Sequence, residues 1–154
     1  MITNNYADHI YTLSKGISWI TFQNECAAIR IDDQLCKQGK GITLYSSFKQ
    51  NLKGDKMYTV FEDSEGDEWI LTNKGISIIG KKQVDSDFPF QYIKEADGII
   101  YLVSQSDKLA SYNFKTRQFK FIEIPYHVSM INEVKKFDSN TLLLATDNGL
   151  IIYK

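Results

Sequence analysis

Short apolar runs rich in Ile, Val, Tyr, Phe and Thr recur along the chain between turn residues: "GISWITF", "MYTVFED", "IIYLVS", "QFKFIEI" and "TLLLAT". Few windows place apolar residues at i, i+3, i+4 and i+7, so the pattern predicts strands and almost no helix. The chain is expected to be all-β. Pro89 and Pro125 are expected where the chain passes from one sheet to the next, since there is no ladder to break there.

The runs align with one another. In "EDSEGDEWILTNKGISII", Gly66 precedes Trp69 by three residues, and the same spacing joins Gly16 to Trp19, Gly98 to Tyr101 and Asn140 to Leu143. Trp69, Tyr101 and Leu143 are each followed three residues later by a small hydroxyl side chain: Thr72, Ser104 and Thr146. Gly75-Ile76 and Gly149-Leu150 then close two of the units; Lys108-Leu109 comes one residue late in the third, and the first has no such pair. Each turn is led by a strand-like segment: "HIYTLSKG", "YTVFEDSEG", "QYIKEADG" and "EVKKFDSN".

The anchors at 19, 69, 101 and 143 recur about every 40 residues, the length of a four-stranded propeller blade. The turn residue, Gly or Asn140, is expected to take the positive φ of a tight hairpin, and the anchor to fill the space between neighbouring sheets. Third strands are expected at "ISII", "LASYN" and "LIIYK". Fourth strands are expected at "ITLYSS", "QFKFIEI" and, indistinctly, "KKQVDSD". The expected fold is a β-propeller-type repeat of four-stranded antiparallel blades, about four in this chain, at 6–50, 51–87, 88–125 and 126–154.

Composition narrows the functional classes. The 154 residues are 43% hydrophobic, enough for a real core. Eighteen basic and nineteen acidic side chains leave a net charge of -1, and no Lys/Arg stripe is present to neutralise phosphates, so nucleic-acid binding is not expected. No apolar run reaches the roughly 20 residues of a membrane helix, and "MITNNYADHI" has neither the basic nor the apolar segment of a signal peptide. Cys26 and Cys36 lack zinc-site spacing and read as ordinary thiols, Cys26 in or beside a strand; their sequence leaves open whether they pair.

The segment "VFEDSEGDEWILTNKGISII" resembles the two-component regulator propeller repeat, roughly I-x-E-D-x-x-G-x-x-W-I-G-T-x-x-G-[LI]. Glu62, Asp63, Gly66, Trp69, Ile70, Thr72, Gly75 and Ile76 fall on that pattern, with Leu71 in place of its second Gly. "LLLATDNGLIIYK" matches the second half, and "IKEADGIIYLVSQSDKLASYN" matches with one extra residue. The first unit, ending "FQNECAAIRID", departs most. The resemblance implies part of the periplasmic sensor region of a hybrid two-component system, non-catalytic, with an oligosaccharide as the ligand class; the alternative is a protein-protein interaction propeller fragment without a small-molecule ligand. It also implies membrane attachment only through other parts of a parent receptor. Four units are fewer than a usual closed propeller holds, which leads to the expectation of a homodimer. Two copies would close a ring of about seven or eight blades, with "ITNNY" lending a strand.

Other chemistry competes for the same residues. The acidic group Glu62, Asp63, Glu65, Asp67 and Glu68 reads as a solvated hairpin turn, because "DSEGDE" supplies only part of a calcium loop. A sialidase-type Asp-box wants Asp where this chain has Ser64. Streptogramin-cleaving propeller lyases use a catalytic His, and His9 and His127 sit in no motif. No catalytic residue, metal ligand or cofactor-binding residue is identified. Trp19, Trp69, Tyr101 and Tyr112 are assigned to the core between sheets. That leaves Tyr6, Tyr11, Tyr45, Phe48, Phe90, Tyr126 and His127 as ligand candidates by exclusion, with no binding residue singled out.

Overall fold

The structure, a computed structural model, describes residues 6–22, 27–46, 52–54, 56–82, 84 and 86–154. Cys26, Phe48 and the segment 2–5 of "ITNNY" lie outside the described residues. The chain divides into two compact units, Met1–Phe88 and Pro89–Lys154. Fourteen strands are described, in four antiparallel sheets.

In the first unit, β1 (Ala7–Thr12), β2 (Ile17–Phe22), β3 (Ala27–Asp32) and β4 (Ile42–Ser46) form one up-and-down meander. β5 (Met57–Glu62), β6 (Glu68–Thr72) and β7 (Gly75–Ile79) form the next. The alternation of side chains along a strand sends Ile17, Trp19 and Thr21 to one face of β2. There Trp19, Ile17 and Ala28 pack against Val60, Ile70 and Leu52 of the same unit, with Tyr11, Tyr45 and Ile79 around them. The helix signal was weak, and only a 3-10 turn at Ser14–Gly16 and a single α-helical turn, α1 (Asp33–Cys36), are described; Asp32 caps α1 by accepting from Gln34 N and Leu35 N. Cys36 on α1 is exposed.

In the second unit, β8 (Phe90–Ala96), β9 (Ile99–Ser104), β10 (Leu109–Asn113) and β11 (Gln118–Ile122) make a four-stranded meander. β12 (Ile131–Lys136), β13 (Leu142–Thr146) and β14 (Gly149–Tyr153) make a three-stranded one. Tyr101, Val103 and Leu109 of the former pack against Val134, Leu142 and Leu144 of the latter. The packing order matches that of the first unit, because Tyr101 takes the place of Trp19 and Leu144 that of Ile70. Pro89 and Pro125 lie between sheets, off every ladder.

Three local expectations need correcting. "KKQVDSD" forms no strand among its described residues; it lies along β7 through one backbone bond, from Ile76 N to Ser86 O. Its Lys81 and Lys82 amides are instead turned toward Asp67. Gly16, Gly66 and Gly98 do hold positive φ, at 74°, 84° and 71°, but Asn140 does not. Its turn is closed by Phe137 N to Thr141 O and by the Asp138 carboxylate accepting from Asn140 N. Leu143 is half-buried rather than core, while its neighbours Leu142 and Leu144 are buried.

Candidate functional site

The acidic turn is the densest group of ionisable side chains in the sequence, and it is not solvated as the turn reading expected. Asp63, Asp67 and Glu68 are each buried, at 4%, 4% and 6% exposure. Lys82 Nζ enters the turn and lies 2.9 Å from Asp63 Oδ2, 2.6 Å from Glu65 Oε2 and 3.3 Å from Asp67 Oδ2. Asp63 Oδ1 accepts the Glu65 and Asp67 amides, and its Oδ2 accepts the Trp69 indole N–H at 2.7 Å. Asp67 accepts the amides of Lys81 and Lys82. The motif spacing from Asp63 to Trp69 is thus the span of a hairpin whose first acid ties the indole and the turn together.

Charge follows from these contacts. Burial opposes the charged form of Lys82, but the carboxylates of Glu65 and Asp63 outweigh it and hold its pKa above the ordinary lysine value. Burial likewise opposes ionisation of Asp67, yet the Lys81 and Lys82 amides and the Lys82 charge bring its pKa below the usual carboxylate range. A cation site needs free carboxylate oxygens, and here an ammonium already stands among them. The group braces the fold.

Glu68 serves the neighbouring sheet. Its Oε2 accepts the Trp19 indole N–H at 2.6 Å, and both its oxygens accept from Arg30, Nη2 to Oε1 at 2.7 Å. The equivalent of Asp63 in the first repeat is Leu13, so Trp19 has no acid in its own hairpin and takes one from the next. Glu62 makes a second link, accepting from Ser14 N and Ser14 Oγ at 2.6 and 2.5 Å.

The candidates by exclusion separate under the structure. Phe90 is fully buried against Phe119 and Phe121; Tyr45 packs on Trp19 with ring centroids 4.9 Å apart; Tyr11 donates to the Tyr58 carbonyl. These three are structural. Tyr6, Tyr126 and His127 are exposed, and the His127 carbonyl accepts from the Asn148 side-chain amide at 3.0 Å. His9 is exposed and pairs with the adjacent Asp8 at 3.2 Å. Trp19, Trp69, Tyr101 and Tyr112 are buried as assigned.

A groove missed at the sequence level lies in the second unit between its two sheets. It has a volume of about 190 Å³ and is lined by Tyr101, Ser111 and Lys120 from β9–β11, and by Lys136, Asp138, Ser139, Asn140 and Tyr153 from β12, the turn after it and β14. Tyr101, Ser111 and Lys120 are cross-strand partners in one row, so the register of three strands brings them together. Burial raises the Tyr101 pKa and keeps its hydroxyl protonated, and Lys136 is paired with Asp97 at 3.1 Å. The lining also includes Ile99, Ile122 and Leu142, so apolar surface stands beside the lysines, hydroxyls and amide around the half-buried Tyr153, a mixture that suits a ligand with both apolar ring faces and hydroxyl or carboxylate groups. The volume is below the roughly 300–1,000 Å³ of ordinary ligand pockets, so the groove can hold one end of such a ligand.

No family model matches the chain, and no curated protein matches it. Solved structures do. The extracellular domain of the proposed hybrid two component system BT4673 from B. thetaiotaomicron superimposes with a TM-score of 0.67 at 18% identity, covering 100% of this chain and 22% of that one. The extracellular domain of BT3049 from the same organism gives 0.63 at 22% identity, covering 100% and 21%. Virginiamycin B lyase from Staphylococcus aureus gives 0.53 at 18% identity, covering 94% and 54%. The likeness is one of fold, and the chain spans about a fifth of the two receptor domains.

Proposed function

We propose that this chain is part of the ligand-sensing, extracytoplasmic region of a hybrid two-component receptor, with its four sheets acting as propeller blades at 6–50, 51–87, 88–125 and 126–154. The observation that carries this is the superposition of the whole chain on the extracellular domains of BT4673 and BT3049. The agreement of "VFEDSEGDEWILTNKGISII" with the repeat motif supports it independently. On this reading the chain is periplasmic and non-catalytic, and its buried carboxylates are structural. Among the described residues no helix is long and apolar enough to cross a membrane, so attachment would come from other parts of the receptor.

The ligand class we propose is an oligosaccharide, with one end held in the groove beside Tyr153, Lys120 and Asn140. The test is a thermal-shift screen of the chain against soluble oligosaccharides, neutral and uronate-containing, followed by calorimetry on any that shift it. The reading expects saturable binding of one glycan class that is weakened about tenfold or more by Lys120→Ala, a loss of about 1.4 kcal/mol. A screen in which no glycan shifts the transition, or a glycan that is chemically altered on incubation, would contradict it.

A further inference from the structure

We infer that the groove of the second unit is selective for an acidic sugar, holding a uronate carboxylate between Lys120 and the hydroxyls of Tyr101 and Ser111. The inference deepens the glycan reading above and rests on it. Tyr101 on β9, Ser111 on β10 and Lys120 on β11 are successive cross-strand partners, and all three line the groove. Residues opposite one another in a sheet share a face, so the three project from one row about 10 Å long, two strand spacings.

The row presents donors without acceptors. Tyr101 and Ser111 are 5% and 6% exposed, yet neither hydroxyl has a hydrogen-bond partner among the described residues. Buried hydroxyls are almost always hydrogen-bonded. Neither of these is sealed in, since no side-chain polar atom of the described residues is both enclosed and without a partner, so both open on the groove they line. Burial raises the Tyr101 pKa, which keeps its O–H a donor. A carboxylate accepts with both of its oxygens, and more strongly than a neutral sugar hydroxyl does.

Charge decides between a neutral sugar and an acidic one. Lys136 is already paired with Asp97 at 3.1 Å. Asp138 is held by its own turn, where it accepts from Asn140 N at 2.8 Å, and Lys154 lies close enough to favour its charged form. Lys120 has no ion-pair partner among the described residues, so the groove is left with one cation in excess. One unpaired ammonium matches one carboxylate. Ile99, Ile122 and Leu142 then supply the apolar surface, beside Tyr153, on which the C–H face of the sugar ring rests.

The test is an NMR titration of the full chain with methyl β-D-glucuronide and, separately, with methyl β-D-glucoside, which differ only in a carboxylate against a hydroxymethyl group. The glucuronide is expected to shift the backbone amides of Ser111, Lys120 and Tyr153 saturably. It should bind about tenfold or more tightly than the glucoside, by a margin that shrinks as salt is raised. Lys120 is exposed, so its replacement leaves the core intact. Lys120→Gln should abolish the preference and Lys120→Arg, which keeps the charge, should retain it. Lys94→Gln, opposite Tyr101 on β8 and outside the groove lining, should also retain it. Equal affinity for the two probes, a tighter glucoside, or a preference that survives Lys120→Gln would overturn the inference and leave the glycan reading standing. So would a neutral oligosaccharide that binds the groove when the glucuronide does not. Failure of both probes and of every oligosaccharide to bind would overturn both.

Discussion

Lys82 shows why one residue in this chain matters more than its neighbours. Its ammonium lies among Asp63, Glu65 and Asp67, two of which are buried with it. Replacing it by Met leaves those two carboxylates buried without their cation, which destabilises folds by about 3–5 kcal/mol, and urea unfolding of Lys82→Met should show a loss of that size. Glu65 is the contrasting case: its side chain is 59% exposed, so Glu65→Ala should cost less than about 1 kcal/mol in the same experiment. The pH dependence has two limbs. Asp67, with its folded pKa lowered, contributes fully above the ordinary carboxylate value of about 3.9 and loses that contribution as pH falls through the lower folded value. Lys82, with its folded pKa raised, contributes fully below about 10.4 and loses that contribution only as pH rises through its higher folded value. For this pair the melting temperature should stay level across neutral pH and fall at both extremes, which a calorimetric pH series reads directly. None of this was legible in "DSEGDE" alone, because the cation comes from fifteen residues beyond Asp67 along an indistinct stretch of sequence. Trp19 is similar: its need for an acceptor is visible, but the acceptor, Glu68, is visible only once two sheets face each other.

At the scale of the element, the period-2 runs placed the sheets well, since alternation, turn glycines and β-branched residues are all local signals. The hydroxyl of the repeat now has a reason. Thr72 Oγ1 donates to Gly75 O at 2.8 Å and accepts from Lys74 N at 3.2 Å, and Thr146 makes the same two bonds to Gly149 O and Asn148 N at the same distances. Ser104, in the loop that is longer, bonds Ser106 N and Lys108 N instead. Thr72→Val should therefore lower the unfolding free energy by about 1–2 kcal/mol, the cost of a buried amide and carbonyl losing a partner. Repeat-equivalent glycines should differ sharply. Gly75 has φ 129°, and a Cβ there would lie 2.1 Å from the Ser86 carbonyl oxygen; Gly149 has φ 106° with nothing within 4 Å. Gly149→Ala should cost about 1–3 kcal/mol of backbone strain, and Gly75→Ala should exceed it by about 2 kcal/mol or more from steric overlap, compared by chemical denaturation. The segment misread as a strand, "KKQVDSD", is what makes Gly75 obligatory: it passes too close for any side chain. Asn140 was misread for the opposite reason, since an Asp138 side-chain bond can close a turn without a positive φ, and residue identity does not distinguish the two solutions.

Across the whole molecule, the repeat was legible and the site was not. Anchors at 19, 69 and 101 are buried where the spacing puts them, and within each unit the packing of the first sheet on the second imposes the same demand on Trp19 and on Tyr101. The groove beside Tyr153 draws on strands that meet only through their register, and its lysines and hydroxyls belong to no motif. Aromatic side chains outside the repeat were a poor guide for a related reason: Phe90, Tyr11 and Tyr45 fill space at sheet margins that a strict repeat does not describe. The central claim is that in each unit the first sheet buries its anchor against the second and that carboxylates lock the two indoles in place. It is tested most directly by native-state hydrogen exchange of the Trp19 and Trp69 indole N–H protons, read by NMR beside the backbone amides. Both indoles are fully buried and donate to Glu68 and Asp63, so both should exchange only with global unfolding, at the pace of the β6 amides. An indole proton that exchanges as fast as an exposed amide would contradict the account.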